Sequence, residues 1–333
     1  MIPPCSSKLE RNALNQIRFI LVVLVVFIHT PGWGAFWYGQ SLAALPVPGF
    51  FLLSGYLFFR GMEGKWDWHL YGQKMRRRTW RLLVPYLLCN LVKLLSLPYT
   101  GGEPVQGILP FLKAFWSFEP SFCAPVLLAT WFLRDLLLMC CLSPLLWFLV
   151  RWGRFVPFLL FALCYIRGIW PGAHVLSLEG LAFFSLGAAF TLCRIPLIPL
   201  LVRNPLWAYI TGVSSLVLFL LFHGEALRYV YLCGGLWAIM ALVCQLSSRW
   251  RFPAHCTDSV LFIYLGHALF VLSAVHLSLA RLFPSTPLVF PILLYFATPL
   301  LTVALLVFGR THIYVPIRAY LLRIFPLLKH PSE

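Results

Sequence analysis

Arg18-Phe-Ile-Leu-Val-Val-Leu-Val-Val-Phe-Ile-His29 sets ten unbroken apolar residues between two basic side chains. Eleven helical steps of 100° return to within about 20° of the starting azimuth and rise roughly 16 Å. Both polar groups therefore fall on one stripe of one helix, separated by about half of a ~30 Å bilayer core. The run reads as a helix in lipid that keeps a titratable group at membrane depth.

The rest of the chain agrees. Of 333 residues, 61% are hydrophobic and 11% are charged, whereas soluble domains carry about 25% charged residues. The expectation is an all-α, polytopic membrane protein of about ten helices, with residues 1–333 forming one membrane domain and no separate soluble part. The first ten residues lack the apolar core and cleavage pattern of a secretory signal, so the first span is expected to be retained. A net charge of +16 would suggest nucleic acid in a soluble protein. Here it reads as the Lys/Arg excess of cytoplasmic loops, and nucleic acid is not expected as a partner. The ten cysteines stand singly except Cys140-Cys141, with no C-x-x-C spacing; they read as small apolar residues, with no metal site.

In order, the expected spans are Asn15–Tyr38, Leu45–Phe59, Leu82–Leu97, Val126–Val150, Phe155–Trp170, Val175–Cys193, Pro205–Phe222, Tyr229–Leu246, Ser259–Leu279 and Leu288–Phe308. Pro31-Gly32 should kink the first just beyond His29, and Pro46-Val-Pro48-Gly49 opens the second. Adjacent broken segments point to a cavity, because irregular backbone in a membrane needs one. The stretch Phe111–Phe118 reads as re-entrant or interfacial. With both termini cytoplasmic, 20 of the 26 Lys/Arg fall inside. Five fall outside (Lys93, Lys113, Arg167, Arg228, Arg281), and Arg134 lies within a span.

Ionisable residues inside a membrane are costly and mark functional candidates. Besides Arg18 these are His29, the adjacent Arg134-Asp135, Glu179 and His267, whose estimated depths allow convergence in the outer half of the bilayer. Packing roles compete with this reading: Arg134-Asp135 suits a structural ion pair equally well, and Glu179 leans that way. The loop run Lys74-Met-Arg-Arg-Arg-Thr-Trp-Arg81 is denser than orientation requires. Guanidinium forks match phosphate, so Arg76, Arg77, Arg78 and Arg81 are candidates to hold a phosphorylated cytosolic compound. Binding to anionic lipid is the plainer alternative.

These elements together resemble the membrane-bound acyltransferase 3 family. The similarity rests on arginine and histidine separated by ten residues in span one (Arg18, His29), and on Val47-Pro-Gly-Phe-Phe-Leu-Leu-Ser-Gly-Tyr56. It continues through Arg81-Leu-Leu-Val-Pro85-Tyr86, Trp131-Phe-Leu-Arg-Asp135, Phe184-Ser-Leu-Gly187 and Ile263-Tyr-Leu-Gly-His267. The resemblance implies O-acyl transfer, often of acetyl, from cytosolic acyl-CoA to a hydroxyl of an extracytoplasmic glycan or glycolipid. The protein would then be multi-pass in the cell membrane. His29 corresponds to the family's catalytic histidine and Arg18 to its paired arginine. On that reading Arg76, Arg77, Arg78 and Arg81 hold the coenzyme, Ser54-Gly55 allows its close approach, and Arg134, positioned by Asp135, orients substrate or stabilises an oxyanion. Glu179 and His267 would border the substrate. A transporter using the same buried polar residues as a path remains the alternative.

Overall fold

A computed structural model describes residues 7–30, 44–100, 103, 105–117, 124–169, 176–282 and 289–324. The described residues are overwhelmingly helical. Helix α1 spans Ser7–His29, α2 Pro46–Phe58, α3 Trp68–Arg78 and α4 Val84–Ser96, with a π turn, Thr79–Leu83, joining α3 to α4. There follow α5 (Ile108–Ala114), α6 (Trp131–Cys141), α7 (Ser143–Gly153), α8 (Val156–Ile166), α9 (Leu178–Leu192) and α10 (Leu197–Arg203). The last part comprises α11 (Pro205–Phe222), α12 (Glu225–Arg249), α13 (Ala254–Thr257), α14 (Val260–Gly266), α15 (Leu272–Leu282), α16 (Val289–Gly309) and α17 (Val315–Ile324).

Among the described residues, six helices are long and apolar enough to cross a membrane, or up to eight if two bent pairs each make one span. The expected ten therefore exceeds what length and composition establish. Expected spans two and five correspond to the short helices α2 and α8. The fourth expected span is broken: α6 and α7 meet at 69°. Pro144 has no N–H to give to Cys140, and the Ser143 hydroxyl takes over that carbonyl at 2.7 Å. The first helix also differs, since it ends at His29, and the kink expected at Pro31 lies outside the described residues. The re-entrant stretch becomes the short α5, with residues 118–123 outside the described set.

The run Lys74 to Arg81 is helix, not loop, and continues span three toward its start. Asp67 caps it, accepting the Leu70 N–H at 3.0 Å, which holds the Asp67 carboxyl below the usual carboxylate range. The π turn then precedes Val84-Pro85, just as a second one, Arg310–Tyr314, precedes Val315-Pro316. A proline inside a continuing helix removes one donor and crowds the preceding turn, and one widened turn accommodates it.

Helices α2 and α9 pack backbone to backbone. Gly55 lies against the Phe184 carbonyl and Gly187 against that of Leu52, and a Cβ would fit at neither position. The glycine expected to admit a ligand thus admits a helix. Helix α1 packs on α2, α12, α14 and α16. The Gln16 side-chain amide fixes it by donating to Phe252 O (3.2 Å) and accepting from Phe252 N (2.9 Å). The N-terminal part of α1 meets the segment after α2, where the Glu10 carboxylate pairs with Arg60 and accepts from the Tyr56 hydroxyl at 2.8 Å.

Candidate active site

On α1, Ile17, Leu21, Val22, Val25 and Val26 are buried against the bundle, and the helix is thereby locked in register. Because the helix begins at Ser7, Arg18 stands eleven residues from either end, about 16 Å along the axis from His29. Arg18 is therefore mid-helix. His29 is the last helical residue and is exposed, with Thr30 closing the turn through a hydroxyl bond to Val26 O (2.9 Å).

The structure brings one other expected residue to His29. The His267 ring lies 5.2 Å from it, centroid to centroid, at 42°. His267 is 1% exposed and opens a π turn, His267–Val271, a distortion frequent at functional sites. Its Nδ1 lies 3.1 Å from Ile263 O. A carbonyl only accepts, so Nδ1 carries the hydrogen and Nε2 is left with the lone pair. Nε2 is buried and has no hydrogen-bond partner among the described residues. A buried acceptor left unpaired costs about 1–3 kcal/mol, which marks a place where a donor from outside the fold can bind. One histidine is open and the other sealed, and 238 residues of sequence separate them.

The basic run divides. Arg78 turns inward: its guanidinium lies 4.9 Å above the Phe58 ring, reaches Ser54 O at 3.4 Å and borders the Cys140 sulfur. Neither Arg18 nor Arg78 has an ion-pair partner among the described residues. Ser54 enters through its backbone carbonyl. Arg76, Arg77 and Arg81 are exposed and do not join Arg78, because successive helical residues diverge by 100°. Lys74, not singled out from sequence, donates to the Phe58 and Arg60 carbonyls and so closes the C-terminus of α2.

Arg134 and Asp135 are 4% and 1% exposed and bind each other, with Arg134 Nε and Nη2 at 3.0 and 2.9 Å from Asp135 Oδ1. Arg134 also donates to Trp116 O, and Asp135 Oδ2 accepts the Ser177 N–H at 2.9 Å. The pair ties α6 to the segment after α5 and to the start of α9. Its link to the histidines is indirect: Phe132 contacts Tyr264 (5.8 Å), and Tyr264 contacts His267 (6.0 Å). Glu179 is further removed. It pairs with Arg228 at 2.8 Å, and Arg228 also donates to the Tyr165 hydroxyl at 2.9 Å, which clamps α8, α9 and α12. Of the convergence expected among five side chains, the pair His29–His267 forms.

The family model described as an acyltransferase domain, acyltransferase 3, matches residues 11–308. The chain belongs to the acyltransferase 3 family. The match begins just ahead of Arg18 and includes the basic run, Arg134-Asp135 and His267, so it spans the ordered motifs from which the resemblance was drawn. The succinoglycan biosynthesis protein ExoH of Rhizobium meliloti (strain 1021) is 29% identical over 164 residues, covering 41% of this chain. The aligned part spans 42% of that relative's length. No solved structure matches the chain. The several apolar helices and the family together make this a multi-pass membrane protein.

Proposed function

We propose that the protein is an O-acyltransferase moving an acyl group, acetyl first among candidates, from acyl-CoA to a hydroxyl of a polysaccharide or glycolipid precursor outside the cytoplasm, with His29 as general base. The observation that supports this best is the exposed His29 beside the sealed His267, one helix-length removed from the Arg60 end of the bundle. The family match favours acyl transfer over a carrier. The relative's name, a succinoglycan biosynthesis protein, favours a polysaccharide acceptor.

In this reading the neutral His29 ring takes the proton from the acceptor hydroxyl as its oxygen attacks the thioester carbonyl. The new C–O bond forms, the C–S bond breaks, and the departing thiolate takes the proton back from the imidazolium. His267, in the tautomer set by Ile263, is the neighbouring group able to support that imidazolium. Arg18 and Arg78 supply positive charge for the donor's phosphates, and the proposed cytoplasmic side is the end bearing Arg60. Arg134 and Asp135 act by holding α6 and α9 in place.

The test supplies labelled acetyl-CoA and candidate glycans to the protein in lipid nanodiscs. His29→Ala should lower turnover about 10²- to 10⁴-fold with an unchanged melting temperature. His267→Gln should lower kcat less and leave donor affinity intact. Wild-type turnover in folded His29→Ala, or no coenzyme binding and no product with the native protein, would refute the proposal.

A further inference from the structure

Three arginines that the site does not use gather near the Glu10 end of α1, about 28 Å along that helix from His29. A cavity of about 610 Å³ is lined by Arg151 from the last turn of α7, by Arg154 from the α7–α8 turn, by Arg194 from the α9–α10 turn, and by Glu63 and Phe155. A second compartment of about 400 Å³ shares Arg194 and Glu63 and adds Arg60 and Tyr56. Arg60 is already paired with Glu10, and Glu63 accepts the Gly61 N–H at 2.8 Å. Arg151, Arg154 and Arg194 have no ion-pair or side-chain hydrogen-bond partner among the described residues. Three exposed arginines thus line one cavity whose lining holds a single carboxylate, Glu63.

The backbone sharpens the point. Arg154 and Arg194 both have positive φ, 53° and 58°. Arg194 occupies the position after the cap of α9, with its N–H bonded to Thr191 O (2.9 Å) and the Ile195 N–H bonded to Phe190 O (2.8 Å). That paired pattern is the helix ending in which glycine is the usual and least strained residue. At both turns the chain holds an arginine where glycine would sit more comfortably, and both side chains line the same cavity.

We infer that this cleft is a binding site for a phosphate-bearing anion, held by Arg151, Arg154 and Arg194. Guanidinium forks bind phosphate oxygens in pairs, and the cavity has the size of a small-molecule pocket. The phosphate belongs either to a soluble nucleotide, such as the phosphoadenosine end of the donor proposed above, or to an anionic lipid headgroup at the bilayer surface. The site does not depend on His29; only the nucleotide source draws on the acyltransfer reading.

The variant Arg154→Gly/Arg194→Gly relaxes the backbone at both turns, so folding is not at risk, and Arg151→Gln completes the removal of charge. Two probes are applied to each protein: adenosine 3′,5′-bisphosphate by calorimetry in phosphatidylcholine nanodiscs, and phosphatidylglycerol retained per protein by native mass spectrometry. The native protein should bind one of them in a salt-sensitive way, and the triple variant should bind it at least tenfold more weakly with an unchanged melting temperature. Loss confined to the bisphosphate assigns the site to a nucleotide, and loss confined to phosphatidylglycerol assigns it to a headgroup. Equal binding of both probes by native and variant proteins would overturn the inference and leave these arginines as orientation charges. Both readouts are made without acyl donor or acceptor, so absence of turnover would not change them.

Discussion

Replacing Gly187 with alanine tests whether the α2–α9 seam holds the wall on which Arg78 rests. A Cβ at Gly187 would lie 2.0 Å from Leu52 O and 2.7 Å from Tyr56 N. Both atoms are backbone, so no rotamer change relieves the clash, and the helices must separate by more than 1 Å to reach ordinary contact. Overpacking of this kind costs about 1–3 kcal/mol. Separation also stretches the 2.6 Å bond from the Thr191 hydroxyl to Tyr56 O, and a lost buried hydrogen bond adds about 1 kcal/mol. Gly187→Ala should therefore destabilise by about 2–4 kcal/mol, read as a lowered midpoint in denaturant titration of the protein in micelles. Gly55→Ala, whose Cβ would meet Phe184 O at 2.1 Å, should act similarly. The double variant should fall short of the sum, because one separation makes room for both. Gly72→Ala on α3 meets nothing within 4 Å and should be neutral or stabilising by up to about 1 kcal/mol. An unchanged midpoint in Gly187→Ala would refute the close packing of the seam and, with it, the account of how Ser54 O is placed.

Two further outcomes concern ion pairs. Asp135→Asn should cost about 3–5 kcal/mol, because it removes the carboxylate that pairs with the buried Arg134 guanidinium, while the fraction that folds keeps its Michaelis constant; lost turnover at full stability would return the pair to the catalytic site. Glu179→Gln, at a half-buried pair, should cost about 1–2 kcal/mol, and the exchange Glu179→Arg with Arg228→Glu should recover most of the melting temperature if the pair serves as a clamp.

The helical membrane character was legible because it depends on local apolar runs: the reading Pro205–Phe222 coincides with α11. Span three was legible in its apolar half and misjudged in its basic half, where charge suggested a loop. The charged residues extend the helix because Asp67 caps it and the π turn absorbs Pro85. Which arginine faces inward depends on how α3 packs against Phe58 and Ser54 of α2, so the charges could be read from sequence but their directions could not. Ser54-Gly55 and Ser185-Leu-Gly187 were both visible, yet nothing local shows that each glycine serves the other's helix. The contact between His29 and His267 is the extreme case. It depends on α1 and α14 packing together across 238 residues, and the π turn at His267 has no proline to announce it.

The phase relation between Arg18 and His29 takes on a length as well as a direction. The basic member is mid-helix, where Arg78 is its charged neighbour, and the histidine is at the helix end, about 16 Å away. On the proposed reading the donor's phosphates lie near the arginines and its thioester near His29. The arm between phosphate and sulfur has about as many chain atoms as four residues of backbone, so it reaches about 14 Å when extended. The bonds to phosphorus and to the acyl carbon supply the remaining length. On that reading the rise of about 16 Å between Arg18 and His29 is comparable to the reach of an extended coenzyme arm.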